Sequence, residues 1–152
     1  MNHVLTGVLL ISVLTVASPA VPAASDPQDE AAIKTTIESI GILADQGNFE
    51  EIEKLYADEV EMDYTSLTGG EVERIGPQAL MTQWASVLPG FDRTRHAVSD
   101  IAVTLNGTRA EATANVIADH YVGDLFWQVQ GDYRYELQKT DGIWRVTSHT
   151  FN

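Results

Sequence analysis

AEATANVIADH, residues 110–120, decides how this chain folds. Ala110, Ala112, Ala114, Val116, Ala118 and His120 alternate with Glu111, Thr113, Asn115 and Asp119, the period of two that sends successive side chains to opposite faces of a strand. One face is therefore apolar and built almost wholly from small side chains. A row of small residues leaves room above a sheet, and where helices cover a bent sheet such a face borders a cavity. His120 is then the polar group projecting into that space, with Val116 and Ala118 in the wall beside it.

The strand belongs to a run. From Arg95 onward, alternating stretches are separated by Asn106-Gly107, by Gly123 and by Asp141-Gly142, turn signals that join antiparallel neighbours. Asn106-Gly107-Thr108 also fits a glycosylation acceptor, but a hairpin tip explains it without modification. Upstream the period changes. Ile33, Ile37, Ile40 and Ala44 mark one face of a helix that Gly47 ends; Asn48 with Glu51 resembles a capping box opening a second, faced by Phe49, Ile52 and Tyr56. Gly76-Pro77 opens a third, burying Leu80, Met81, Trp84 and Leu88. Between the second and third, Val60, Met62 and Tyr64 share a strand face, which places Tyr64 inside and Asp63 outside. Helices first and a meander afterwards predict an α+β domain: a curved antiparallel sheet and about three N-terminal helices enclosing a pocket.

A chain of 152 residues fits one such domain. Val4 to Val16 is almost wholly apolar yet too short to span a bilayer, and it runs into cleavage options at Ser18-Pro19-Ala20 and Val21-Pro22-Ala23. Residues 1–24 are therefore expected to be a signal peptide, 25–30 a linker and 31–152 the folded domain, exported to a periplasm or secreted. The n-region carries His3 but no Lys or Arg, so an uncleaved lipid-associated segment is the rival reading.

The net charge of −13 lies entirely beyond Ala24 and argues against nucleic-acid partners and, after processing, against anionic membrane surfaces. The absence of cysteine excludes disulfides, thiolate metal sites and a cysteine nucleophile. No glycine loop for phosphate and no nucleophile elbow is present, so nucleotide use and acyl-enzyme chemistry have no support. No spacing points to a tightly bound metal, and no cofactor is expected. Asp29-Glu30 and Glu50, Glu51 and Glu53 read as solvated helix faces.

Proton transfer is the chemistry left. His96 and His120 sit in strands downstream of Asp45, which ends the first helix. An aspartate that fixes one imidazole nitrogen favours the charged ring and leaves the other nitrogen to accept a proton near neutral pH. Each residue also has a plainer role open to it: Asp45 as a solvated helix-end carboxylate, His96 as a strand histidine bonded to a carbonyl, His120 at a wet pocket mouth, Tyr64 as a core aromatic. Trp127, Tyr133, Tyr135 and Trp144 alternate along strands as core or pocket wall, with Trp84 facing them from the third helix. His149 shares strand parity with Arg145 and reads as structural.

The stretches LADQGNFEEIEKLYADEVEMDY (43–64), TRHAVSD (94–100), ADHY (118–121) and KTDGIWRV (139–146) resemble, in order and spacing, the nuclear-transport-factor-2-like (NTF2-like) superfamily, closest to its SnoaL-like branch of scytalone dehydratase and related lyases. The resemblance covers about residues 28–151 and implies a cone-shaped α+β fold around a pocket, usually in a homodimer. It places Asp45 on the family's catalytic aspartate and His96 on its paired histidine. Tyr64 and His120 fall on a tyrosine and a second histidine that position water or polarise the substrate oxygen. The chain departs from the dehydratase pattern at Ala44, where a tyrosine is expected, and at Gly131 and Tyr133, where serine and asparagine stand. The resemblance thus implies a small-molecule lyase or isomerase with a substrate of its own, acting on a compact apolar molecule that bears a carbonyl or hydroxyl. The alternative is a non-catalytic domain that binds a hydrophobic ligand or dimerises.

Overall fold

The first helix starts where the chain offers both a cap and a proline. In the computed structural model, which describes residues 26–152, the Asp26 carboxylate accepts a hydrogen bond from the Gln28 N–H at 2.9 Å, and Pro27 opens helix α1 (Pro27–Asp45). The expected export signal and its cleavage options lie outside the described residues. Residues 27–30, expected in a linker, are instead the first turn of α1. Nor is Asp29 a solvated face residue: its Oδ1 accepts from Lys139 Nζ at 2.6 Å and from Trp144 Nε1 at 2.9 Å, tying the helix start to the far end of the sheet.

Ile33, Ile37, Ile40 and Ala44 form the buried stripe of α1, as their spacing predicts. Ile33 and Ile37 are wholly excluded from water, each worth about 1.5–3 kcal/mol of burial. Helix α2 (Phe49–Glu53) follows, but no capping box forms. The Asn48 side chain makes no cap bond, and Glu51 pairs with Lys54 at 2.6 Å instead. Tyr56, expected on the face of that helix, begins strand β1 (Tyr56–Asp63). A further one-turn helix, α3 (Thr65–Thr68), begins where Asp63 Oδ1 accepts from the Thr65 amide at 3.1 Å and its hydroxyl at 2.7 Å, an Asx turn that swings the chain off the strand. Strand β2 (Glu73–Ile75) and helix α4 (Pro77–Val87) complete the first half, and a short 3-10 turn (Leu88–Gly90) leads into the meander.

Strands β3 (Arg93–Asn106), β4 (Arg109–Val122), β5 (Leu125–Thr140) and β6 (Ile143–Phe151) run antiparallel through turns at the three expected places. The last turn holds Asp141 at φ 53° and Gly142 at φ 78°, the paired left-handed conformations that a tight hairpin requires. The sheet order is β2-β1-β6-β5-β4-β3, with β1 and β6 parallel to each other and every other pairing antiparallel.

Two irregularities shape the sheet. In β3 the register passes from Ser99 opposite Asn115 to Ala102 opposite Thr113, so one extra residue is accommodated around Asp100, held at φ 54°. In β6, Leu137 pairs with Val146 but Glu136 pairs with Ser148, leaving Thr147 over. Such bulges bend a strand and reverse its inward and outward alternation. The result is the expected α+β architecture, a curved sheet with α1 packed across β3 and β6. No helix among the described residues is long and apolar enough to cross a membrane.

Candidate active site

Gly41 gives α1 its close approach to β3, and the helix ends one turn later at Asp45 with its carboxylate over that strand. Asp45 Oδ1 lies 2.7 Å from His96 Nδ1, while Oδ2 accepts from the His96 backbone N–H at 2.8 Å. The Thr94 hydroxyl donates to Oδ1 at 2.8 Å. Burial by itself would raise the Asp45 pKa, but the hydrogen bonds donated by the His96 ring, the His96 amide and Thr94 hold it below the ordinary carboxylate value. An ionised carboxylate only accepts, so Nδ1 of His96 carries a proton and Nε2 is the nitrogen turned away from Asp45.

The His96 ring borders a cavity of about 320 Å³, at the small end of the range for ligand pockets. Of the residues expected to line it, Trp84, Ala118, Trp127 and Tyr133 do so, as do Tyr64 and His120. Val116 does not. It is 2 % exposed, set in the core one position beyond Ala118 on the same strand face. Among the described residues no Lys or Arg lines the hollow.

His120 is buried rather than wet. It stands opposite Trp127 across the ladder, its ring 4.5 Å from the indole, 4.7 Å from Phe91 and edge-on to His96 at 5.9 Å. Burial, and then the nearby His96, lower its pKa, and its Nδ1 has no hydrogen-bond partner among the described residues. It is a neutral group with capacity to spare.

Strand parity groups His149 with Arg145, as a structural residue. The structure corrects its position. Because Thr147 is extra, the inward set passes from Trp144 and Val146 to His149 and Phe151, and His149 reaches the cavity wall with 1 % exposure. Its Nδ1 lies 2.9 Å from the Tyr56 hydroxyl and its Nε2 lies 3.2 Å from the Tyr64 hydroxyl. Burial, with a smaller contribution from His96, pulls its pKa down to about 3. No turn residue or composition shift near 147 signals the bulge, so strict alternation misplaces the histidine.

Among the described residues no cluster of three or more His, Asp or Glu is arranged to hold a metal ion. The profile of the SnoaL-like domain matches residues 26–150, nearly the whole described chain. The chain belongs to the SnoaL-like family. Solved structures agree on the fold of this SnoaL-like domain. The Kfla4162 protein of Kribbella flavida is 26% identical and superimposes with a TM-score of 0.79, over 82% of this chain and 90% of that one. A candidate scytalone dehydratase from Novosphingobium aromaticivorans is 20% identical at a TM-score of 0.73, over 82% and 83% of the two chains. A candidate dehydratase of the NTF2-like family from Streptomyces avermitilis is 14% identical at 0.71, over 83% and 97%. No curated protein sequence matches the chain significantly.

Proposed function

We propose that this SnoaL-like domain is a cofactor-independent lyase or isomerase that moves a proton within a compact, neutral, mainly apolar substrate bearing a carbonyl or hydroxyl group. The observation that carries the reading is the 2.7 Å contact of Asp45 with His96 at the wall of an apolar cavity. His96 Nε2 is the base. It takes a proton from carbon next to the polarised oxygen, and Asp45 stabilises the imidazolium that forms. Tyr64 and His120 bind the oxygen on which negative charge develops. Neutrality of the substrate follows from the lining: an anion would meet the Asp45 charge nearby and no Lys or Arg to offset it. The names of two structural relatives, both candidate dehydratases, lend this reading support at the level of fold. Export through residues 1–24 would place the reaction in the periplasm or outside the cell, which N-terminal sequencing of the processed protein checks.

The test is deuterium exchange into small enolisable ketones, acetophenone among them, followed by NMR for the wild type, His96→Ala and Asp45→Asn. The expected result is exchange above the buffer rate that falls by about 10²- to 10⁴-fold in His96→Ala and nearly as far in Asp45→Asn. Exchange that ignores both substitutions defeats the proposal. Saturable binding of the ketones without exchange supports the alternative, a non-catalytic pocket for a hydrophobic ligand.

A further inference from the structure

We propose that His149 is a positioning residue: together with Tyr56 it orients the Tyr64 hydroxyl proton away from itself and toward the cavity, making Tyr64 a donor to a neutral substrate oxygen. The inference deepens the proposed function by assigning a direction to one of its hydrogen bonds, and it rests on that reading only for the use made of the donor.

Tyr56 is 2 % exposed, and among the described residues its hydroxyl has one partner, His149 Nδ1 at 2.9 Å. A buried hydroxyl proton needs an acceptor, so Tyr56 donates and Nδ1 must be bare. A neutral imidazole carries one N–H, which therefore sits on Nε2 and donates to the Tyr64 oxygen at 3.2 Å. Tyr64 cannot also donate to that nitrogen. Its own proton is left for the other side, where Tyr133 stands edge-on with ring centroids 6.5 Å apart and lines the same cavity. The imidazole is neutral throughout the working range because burial holds its pKa at about 3, and burial, with the neighbouring phenol of Tyr133, raises the Tyr64 pKa well above the usual phenol value. The opposite orientation, Nδ1–H donating to Tyr56, would strand the Tyr56 proton in the core.

Nitrogen-15 NMR of the imidazoles in the wild-type protein at pH 7 decides the matter without any ligand. The expected spectrum shows His149 with a one-bond proton on Nε2 and none on Nδ1. Tyr64→Phe should keep that tautomer, since Tyr56 sets it, while moving the Nε2 resonance. A proton on Nδ1, or a doubly protonated ring, overturns the inference, as does a change of tautomer in Tyr64→Phe. These outcomes are independent of ketone exchange: an inert protein with the Nε2–H tautomer defeats the proposed function alone, and an active one with the Nδ1–H tautomer defeats this inference alone.

Discussion

Gly41 on α1 and His96 on β3 touch so closely that a methyl group at position 41 would stand 3.1 Å from the histidine Cβ. That contact fixes how near the helix end, and with it the Asp45 carboxylate, can lie to the strand. Gly41→Ala should therefore separate two quantities that mutations usually move together. Alanine gains up to about 1 kcal/mol of helix propensity, offset by a shift of a few tenths of an ångström at His96. We expect stability to change by less than about 1 kcal/mol in urea unfolding, while ketone exchange drops about tenfold or more through the disturbed Asp45–His96 contact.

Thr94 supports the same pair through its 2.8 Å hydrogen bond to Asp45. Thr94→Val removes one donor from a carboxylate whose low pKa depends on donors, so the Asp45 pKa should rise in a carbon-13 titration. Exchange should fall by about twofold to tenfold, the equivalent of about 0.5–1.5 kcal/mol for one hydrogen bond. An unchanged titration would show that the hydroxyl contributes nothing to holding the carboxylate ionised.

Acid should weaken the fold well above the carboxylate range. His149 has a folded pKa of about 3 against an ordinary 6.5, so between those values the unfolded chain binds a proton that the native state refuses. Stability is then full above pH 6.5 and is lost as pH falls, by up to about 1.4 kcal/mol per pH unit from this group. His120, also lowered, acts in the same direction just below its ordinary value. Asp29, Asp45 and Asp63, all held low, add their losses only below their ordinary value of 3.8. Urea midpoints at pH 7, 6, 5 and 4 should decline steadily, and His149→Phe should flatten the decline even if it lowers the midpoint at pH 7.

Ala118 holds the cavity open beside His120. Ala118→Leu introduces three carbons into a hollow of about 320 Å³ and should be tolerated by the fold because space exists to receive it. Binding of acetophenone, followed by chemical-shift perturbation, should weaken at least tenfold. Undiminished binding would place the ligand site elsewhere.

Much of this architecture is visible in the residues themselves. Helix α1 declares itself through four apolar residues at helical spacing, and β4 through strict alternation, because both bury one continuous face. The Asp45–His96 contact was legible only through the family resemblance, since the two residues are 51 positions apart and nothing local joins them. What escaped were arrangements that leave the pattern of residue types untouched. The parallel pairing of β1 with β6 depends on which strand lies beside which, α3 on one carboxylate folding back, and Val116 on how deep a given inward residue happens to sit. The plainest case is His149, displaced by a single uncounted residue.

That one residue makes the back wall of the hollow a matter of phase. Without the bulge, strict pairing of the same residues would bring Ser148 and Thr150 to the inner face and turn His149 and Phe151 toward solvent, whereas deleting Thr147 would leave Trp144, Val146, His149 and Phe151 inward in uninterrupted alternation. The bulge, and not the identity of the residue in it, thus decides which two rings stand in the wall.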